Sequence, residues 1–171
     1  MTDLPFQVGL GFDVHPFGSD TGRRLVLGGV EFPGPGLAGH SDGDVVAHAV
    51  ADAMLGAAGL GDLGQHFPDT DPSWSGADSI QLLATVGELV WAEGWLLGGA
   101  DCAVVLEQPR LAPRREQMQQ VLSAAAGGPV RVKGKRAEGL GALGRSEGVA
   151  CWTVALLRKA GGDEQETERA G

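Results

Sequence analysis

The chain has 171 residues, 43% of them hydrophobic, with 22 acidic residues against 13 basic ones and a formal charge of −9; that is the size of one ordinary domain. The acidic balance argues against nucleic acid or an anionic membrane surface as the main partner, since both are usually met by a spread of Lys and Arg. No apolar run reaches the ~18 to 20 residues of a membrane span, and Met1-Thr2-Asp3-Leu4-Pro5 lacks the basic and apolar regions of a signal peptide, so a cytoplasmic protein is expected. Two cysteines, Cys102 and Cys151, fall in apolar stretches and read as reduced core residues.

In chain order, Phe6, Val8, Leu10, Phe12 and Val14 alternate with Gln7, Gly9, Gly11, Asp13 and His15. This is the period-2 pattern of a half-buried strand, and it puts Asp13 and His15 together on the polar face. Arg24 to Phe32 reads as a second strand, closed by the loop Pro33-Gly34-Pro35-Gly36. After Gly39-His40-Ser41-Asp42-Gly43-Asp44 comes an Ala-rich helix to Ala58, with Ser41 or Asp42 as N-cap and Gly56 and Gly59 able to end it. Residues 59 to 77 show no usable period, and a loop of that length in a compact domain is often a functional lid. Asp78-Ser79-Ile80-Gln81 starts a helix striped by Leu82, Leu83, Val86, Leu89 and Val90. Leu96 to Leu106 reads as a strand, Pro113 to Ala126 as a helix with proline in its first turn, and Val130 to Lys133 as a short strand. The apolar run Val149 to Leu157 reads as a buried strand of a central sheet. One domain over 1–160 is expected, followed by a disordered acidic tail over 161–171.

All four histidines lie between positions 15 and 66. Asp13 and His15 project the same way at a backbone spacing of roughly 6.6 Å, while Asp44, His48 and Asp52, at i, i+4 and i+8, form one polar stripe on the next helix. If that stripe faces the first strand, Asp13, His15 and His48 can close around a metal. Two neutral imidazoles and a carboxylate suit Zn²⁺ and leave a fourth position for substrate. The alternative is a solvated Asp13–His15 pair with His48 bonded locally in its helix. Arg131, Lys133 and Lys135 share a strand face and Arg136 follows, which reads either as a phosphate site or as a lysine-guarded sheet edge. Glu138 beside it can hold a hard cation such as Mg²⁺ against phosphate oxygens. Gly139-Leu140-Gly141-Ala142-Leu143-Gly144 fits the dinucleotide-binding pattern but lacks the strand–turn–helix unit and the later acidic residue that such a site needs.

Asp13-Val14-His15, Gly28-Gly29-Val30, the run from Gly39 through Asp44 to His48-Ala49 and Asp52-Ala53, Gly61-Asp62-Leu63-Gly64, Phe67-Pro68-Asp69-Thr70-Asp71-Pro72 and Gly76-Ala77-Asp78-Ser79 resemble the 2-C-methyl-D-erythritol 2,4-cyclodiphosphate synthase family. The resemblance spans about residues 6 to 159. It implies an α+β fold, a mixed sheet with helices packed on one side, assembling as a homotrimer with intersubunit active sites. It also implies conversion of 4-diphosphocytidyl-2-C-methyl-D-erythritol 2-phosphate to the cyclic diphosphate and CMP, a step of non-mevalonate isoprenoid synthesis. Asp13, His15 and His48 match the family's zinc ligands, and Glu138 matches the position that binds a second divalent cation, Mg²⁺ or Mn²⁺. His40 and Ser41 match a phosphate-contacting pair, with His40 assigned to transition-state stabilisation. Asp62, Leu63 and Gly64 match the methylerythritol contacts, and Phe67, Pro68, Asp69, Thr70 and Asp71 the mobile loop above them. Leu106, Glu107, Gln108, Pro109, Arg110, Leu111 and Ala112 match the cytosine pocket contributed by the neighbouring subunit. Ala142 and Arg145 match further phosphate or trimer-axis contacts.

The family's nucleophile is the substrate's own 2-phosphate, so no protein base is required. In two places the chain departs from the pattern. Lys135-Arg136-Ala137 replaces the usual threonines before the glutamate, with Gly139 in place of a lysine after it, and Ser75 stands in the lid where a lysine is common. Lys135 or Arg136 is therefore expected to provide phosphate donors in place of the threonines; both are included among the substrate-binding residues and Arg136 in the catalytic set. Two other readings compete: a metal-dependent phosphoesterase giving a linear product, and a trimeric binding module with a structural metal.

Overall fold

The computed structural model describes residues 4–20 and 22–161. Among these described residues six strands and five α-helices follow one another, and four of the strands form a mixed sheet in the order β1-β6-β4-β5. β1 (Phe6–Pro16) and β4 (Trp95–Val105) both run antiparallel to the central β6 (Gly148–Lys159), while β5 (Val130–Lys135) lies parallel to β4. The run from Val149 to Leu157 is thus the expected strand. A parallel neighbour requires a crossover, and α4 (Arg115–Ala126) provides it, preceded by a 3₁₀ turn over Ala112–Arg114 that contains the expected first-turn proline. The helices α1 (Val45–Ala58), α3 (Ser79–Ala92) and α4 cover one face of the sheet.

The faces of β1 are exchanged relative to the simplest reading of its alternation. Gly9 and Gly11 are buried, whereas Leu10 is 67% exposed and Phe6, Val8, Phe12 and Val14 are exposed beside it. The reason is how close α1 comes. A Cβ on Gly11 would lie 2.1 Å from the Ala49 carbonyl oxygen, and one on Gly9 would lie 2.0 Å from that of Ala53. Only glycine on the strand, facing alanines on the helix, permits this contact. β6 repeats the arrangement: Cys151, Thr153, Ala155 and Leu157 point into the core, while Trp152, Val154 and Leu156 share the exposed face with β1. On that face the Phe12 and Trp152 rings lie 4.8 Å apart.

Arg24 to Phe32 is a hairpin rather than one strand. β2 (Leu25–Leu27) and β3 (Val30–Phe32) pair across Gly28 and Gly29, which sit at φ 60° and 70°. A two-residue turn with both central φ values positive is the form that matches strand twist, and it favours glycine. Asp44, not Ser41 or Asp42, caps α1, accepting from Val46 and Ala47 N–H. The same carboxylate accepts the Gly28 N–H at 2.8 Å and the Gly29 N–H at 2.6 Å. One fully buried side chain therefore ties the hairpin turn to the helix start. Gly59, at φ 75°, ends α1 as expected.

Residues 59 to 77 contain α2 (Leu63–His66) and a 3₁₀ turn over Pro72–Trp74, both one turn long. A four-residue α5 (Gly141–Gly144) follows β5, which does not make the strand–turn–helix unit of a dinucleotide site. Of the expected acidic tail, 161–171, only Gly161 lies within the described residues. Among the described residues no helix is long and apolar enough to cross a membrane. Replacing Gly11 with Ala is expected to force α1 off β1 and to lower stability by about 1–3 kcal/mol. Urea unfolding checks this, and an unchanged midpoint would show that the contact is not the constraint described.

Candidate functional site

The contact between β1 and α1 brings the sequence's candidate ligands together. Asp13 Oδ2 lies 3.0 Å from His15 Nε2 and 2.9 Å from His48 Nδ1. One ligand atom from each of the three residues lies within 4.8 Å of the others. Two-residue spacing along β1 puts Asp13 and His15 on the helix-facing side, and His48, four residues after the Asp44 cap, descends onto them from α1. The second nitrogen of each ring is held as well. His15 Nδ1–H donates to the Ala38 carbonyl at 2.6 Å, and His48 Nε2 lies 2.8 Å from Ser79 Oγ and 3.1 Å from Ser41 Oγ.

Burial works to raise the Asp13 pKa, but hydrogen bonds and positive charge from His15 and His48 outweigh it and hold the carboxyl at about 2. The hydrogen bond that His15 donates to Asp13 in turn raises the His15 pKa above its ordinary 6.5, against the opposing effect of burial. A divalent cation fits this group. Two imidazole nitrogens and a carboxylate oxygen converge on one point, and outer hydrogen bonds orient both rings, as metal-ligating histidines require. Among the described residues it is the one such cluster of three.

Other residues singled out in the sequence surround this centre. His40 Nε2–H donates to the Asp71 carbonyl at 3.1 Å, joining the loop before α1 to the 67–71 segment. Ser41 is buried, and the Val14 N–H bonds to Asp13 Oδ1 at 2.9 Å. Asp62 caps α2 by accepting from Gln65 N–H at 3.0 Å, and Leu63 N–H reaches Asp52 on α1 at 3.4 Å. Asp52 thus belongs to the loop anchor, just as Asp44 belongs to the hairpin anchor, and neither is part of the metal-capable group. Phe67 meets Trp74 edge to face at 5.0 Å. The sequence reading missed Arg23, whose guanidinium holds the carbonyls of Gly39 and Ser41 and so fixes the loop that carries His40. It also missed Ser79.

A second site lies at the far side of the sheet. The segment from Leu106 to Ala112, with Arg115 and Gly134 to Arg136, lines a cavity of about 270 Å³. Glu107 accepts from Arg136 Nε at 2.9 Å and Nη2 at 2.6 Å, and from Gly139 N–H at 3.3 Å. The Arg136 guanidinium, followed by that N–H, holds the Glu107 carboxyl below its ordinary value. Lys133 pairs with Asp101 on β4. Glu138 is exposed, at φ 54°, on the turn after β5, and Arg145 pairs with Glu147 at 2.6 Å. Within one chain, then, the sequence's candidates fall into two groups. Asp13, His15, His40, Ser41 and His48 lie at one, and the 106–112 segment, Lys135 and Arg136 at the other, whose lining includes none of the first five.

Fold and site together define an α+β protein with a centre able to hold a divalent cation and a separate pocket that combines apolar and charged side chains. The chain belongs to the YgbB family, whose model matches residues 6–158. It is 51% identical over 159 residues to the 2-C-methyl-D-erythritol 2,4-cyclodiphosphate synthase of Geobacillus thermodenitrificans, covering 91% of this chain and 98% of that one. It is 50% identical over 165 residues to the bifunctional enzyme IspD/IspF of Anaeromyxobacter dehalogenans, covering 95% of this chain but only 42% of the longer relative. A solved 2C-methyl-D-erythritol-2,4-cyclodiphosphate synthase in its CDP-bound form superposes with a TM-score of 0.78 at 39% identity, over 88% of this chain and 99% of that one.

An imidazole ligates a metal only when neutral. Bound metal is therefore expected to leave as the pH falls and protons compete for the His15 and His48 nitrogens. Metal content after dialysis across a pH series checks this, and His48→Ala should abolish the bound ion at every pH.

Proposed function

We propose that the protein converts 4-diphosphocytidyl-2-C-methyl-D-erythritol 2-phosphate to 2-C-methyl-D-erythritol 2,4-cyclodiphosphate and CMP in non-mevalonate isoprenoid synthesis, as a homotrimer with active sites between subunits. The observation that carries this reading is the Asp13–His15–His48 group in a chain of this family, with its rings preset for a cation. The division into two half-sites supports the intersubunit arrangement, because a neighbouring copy can bring its 106–112 pocket to this chain's metal-capable group. The CDP-bound relative supports a cytidine nucleotide as the occupant of that pocket.

In this reading the 2-phosphate attacks the β-phosphorus. Its second pKa is about 6, so it is already largely dianionic at neutral pH and no residue need remove a proton. The protein's task is alignment, and holding reactants in line can supply effective molarities of about 10⁵ M or more. His40 and Ser41 contact the phosphates, and Asp62, Leu63 and Gly64 hold the methylerythritol beneath the segment from Phe67 to Asp71. Leu106 to Ala112 take the cytosine, while Ala142 and Arg145 add phosphate or axial contacts. Asp13, His15 and His48 would hold Zn²⁺ and Glu138 a second divalent cation, Mg²⁺ or Mn²⁺, and the chemistry these supply is neutralisation of phosphate charge as CMP leaves. Lys135 and Arg136 stand where the family has threonines. The Arg136 side chain is exposed while the Glu107 carboxylate it pairs with is only 9% accessible, so the guanidinium reaches phosphate by sharing or leaving that partner.

The apolar strip on β1 and β6 supports the trimer, since an exposed strip of this kind, uncovered among the described residues, marks a protein interface. Buried, unpaired Cys102 and Cys151 are compatible with a reducing cytoplasm.

Incubation with the substrate and magnesium is expected to give the cyclic diphosphate and CMP by phosphorus NMR; a linear product would favour the phosphoesterase reading. Removing one charged phosphate donor costs about 1.5–3 kcal/mol, so Lys135→Ala and Arg136→Ala should each slow CMP release by about tenfold or more. Near-normal rates in both would take these two residues out of the site. Sedimentation equilibrium should give the mass of three chains, and Leu10→Asp should reduce it to one; an unchanged mass would place the interface elsewhere.

A further inference from the structure

His48 touches more than its candidate metal partners. Ser79, the first residue of α3, is almost fully buried, and its Oγ lies 2.8 Å from His48 Nε2. Its O–H donates to Asp42 Oδ1. Asp42 is itself fixed by backbone, with Asp44 N–H on Oδ1 at 3.1 Å and Ser79 N–H on Oδ2 at 3.3 Å. A hydroxyl has a single proton. With that proton committed to Asp42, Ser79 Oγ meets His48 Nε2 as an acceptor, so their bond puts the ring's hydrogen on Nε2, with the Ser41 O–H directed at Ser79 Oγ. Ser41 Oγ, at 3.1 Å from the same nitrogen and 3.3 Å from Ser79 Oγ, already accepts the Gly43 N–H.

We infer that Ser79, backed by Asp42, is a positioning residue that sets the His48 ring with its hydrogen on Nε2, leaving the Nδ1 lone pair for a metal shared with Asp13 and His15. The inference rests on the reading of these three residues as a metal centre. The Ala38 carbonyl does the same for His15, taking the Nδ1–H and leaving Nε2. The two rings thus present different nitrogens to one point, as their approach from a strand and from a helix requires. A carbonyl can only accept and needs no support, whereas a hydroxyl can rotate and needs Asp42 to fix its direction.

The test uses Co²⁺ as probe on the full chain. Wild type and Ser79→Thr are expected to bind it at one site, Ser79→Ala about 10- to 100-fold more weakly, and His48→Ala not at that site at all. In the Co²⁺-loaded wild type, the His48 Nε2–H should give a paramagnetically shifted, slowly exchanging proton resonance. Ser79→Thr keeps this resonance, and Ser79→Ala loses it to fast solvent exchange. Wild-type affinity and an unchanged resonance in Ser79→Ala, with binding lost in His48→Ala, would overturn the positioning role while leaving the metal centre intact. Unaltered Co²⁺ binding in His48→Ala would overturn the metal centre, and the inference with it. If Ser79→Ala fails to fold, the wild-type spectrum decides: a ring hydrogen on Nδ1 rather than Nε2 in the loaded protein refutes the assignment.

Discussion

The approach of α1 to β1 is the constraint on which the rest of the structure depends. Because Gly9 and Gly11 have no side chain, the helix settles with Ala49, Ala53 and Ala57 directly on the strand backbone. At this separation His48 reaches Asp13 without an intervening layer. A conventional apolar interface, with larger side chains between helix and strand, would lift the imidazole away from the carboxylate. The alanine content of α1 and the glycine content of β1 are two halves of one geometric requirement. The same contact explains why the large apolar residues of β1 point to the other face, since the helix-facing side has no room for them.

Asp44 completes the frame. Its carboxylate gathers four backbone N–H groups, two at the start of α1 and two in the Gly28-Gly29 turn. A buried carboxylate is tolerable only with such saturation. Loss of any one of the four would leave charge poorly matched in the core, so the hairpin, the helix start and the His40–Ser41 loop between them hold together as a unit. Arg23 reinforces that unit from outside through the Gly39 and Ser41 carbonyls.

Much of the site was legible in the sequence because it obeys short-range spacing rules. A two-residue step on a strand and a helical step from Asp44 to His48 are enough to converge Asp13, His15 and His48, and no tertiary knowledge is needed beyond the assumption that the elements face each other. The cap of α1 was not legible, because Ser41, Asp42 and Asp44 are all competent caps. The choice among them is made by a turn 15 residues earlier that also needs an acceptor. Alternation along β1 defined two faces without saying which was inside; the glycines held that answer, but only once a helix was known to lie on them. Ser79 stands out in the sequence only as part of a helix start and of a family-like run, with no role attached. Its role arises from the docking of α3 against α1, a long-range event that leaves no local pattern.

Phe6 pairs with Arg158 and Lys159 N–H bonds to the Pro5 carbonyl, so the two ends of the described chain leave the sheet side by side. Asp13 lies seven residues further along β1, roughly 24 Å away at the rise of an antiparallel strand. The described ends of the sheet are therefore remote from the metal-capable centre. These two ends and the metal-capable centre thus occupy opposite ends of β1, so a label attached to the described ends reports on the sheet and not on the centre.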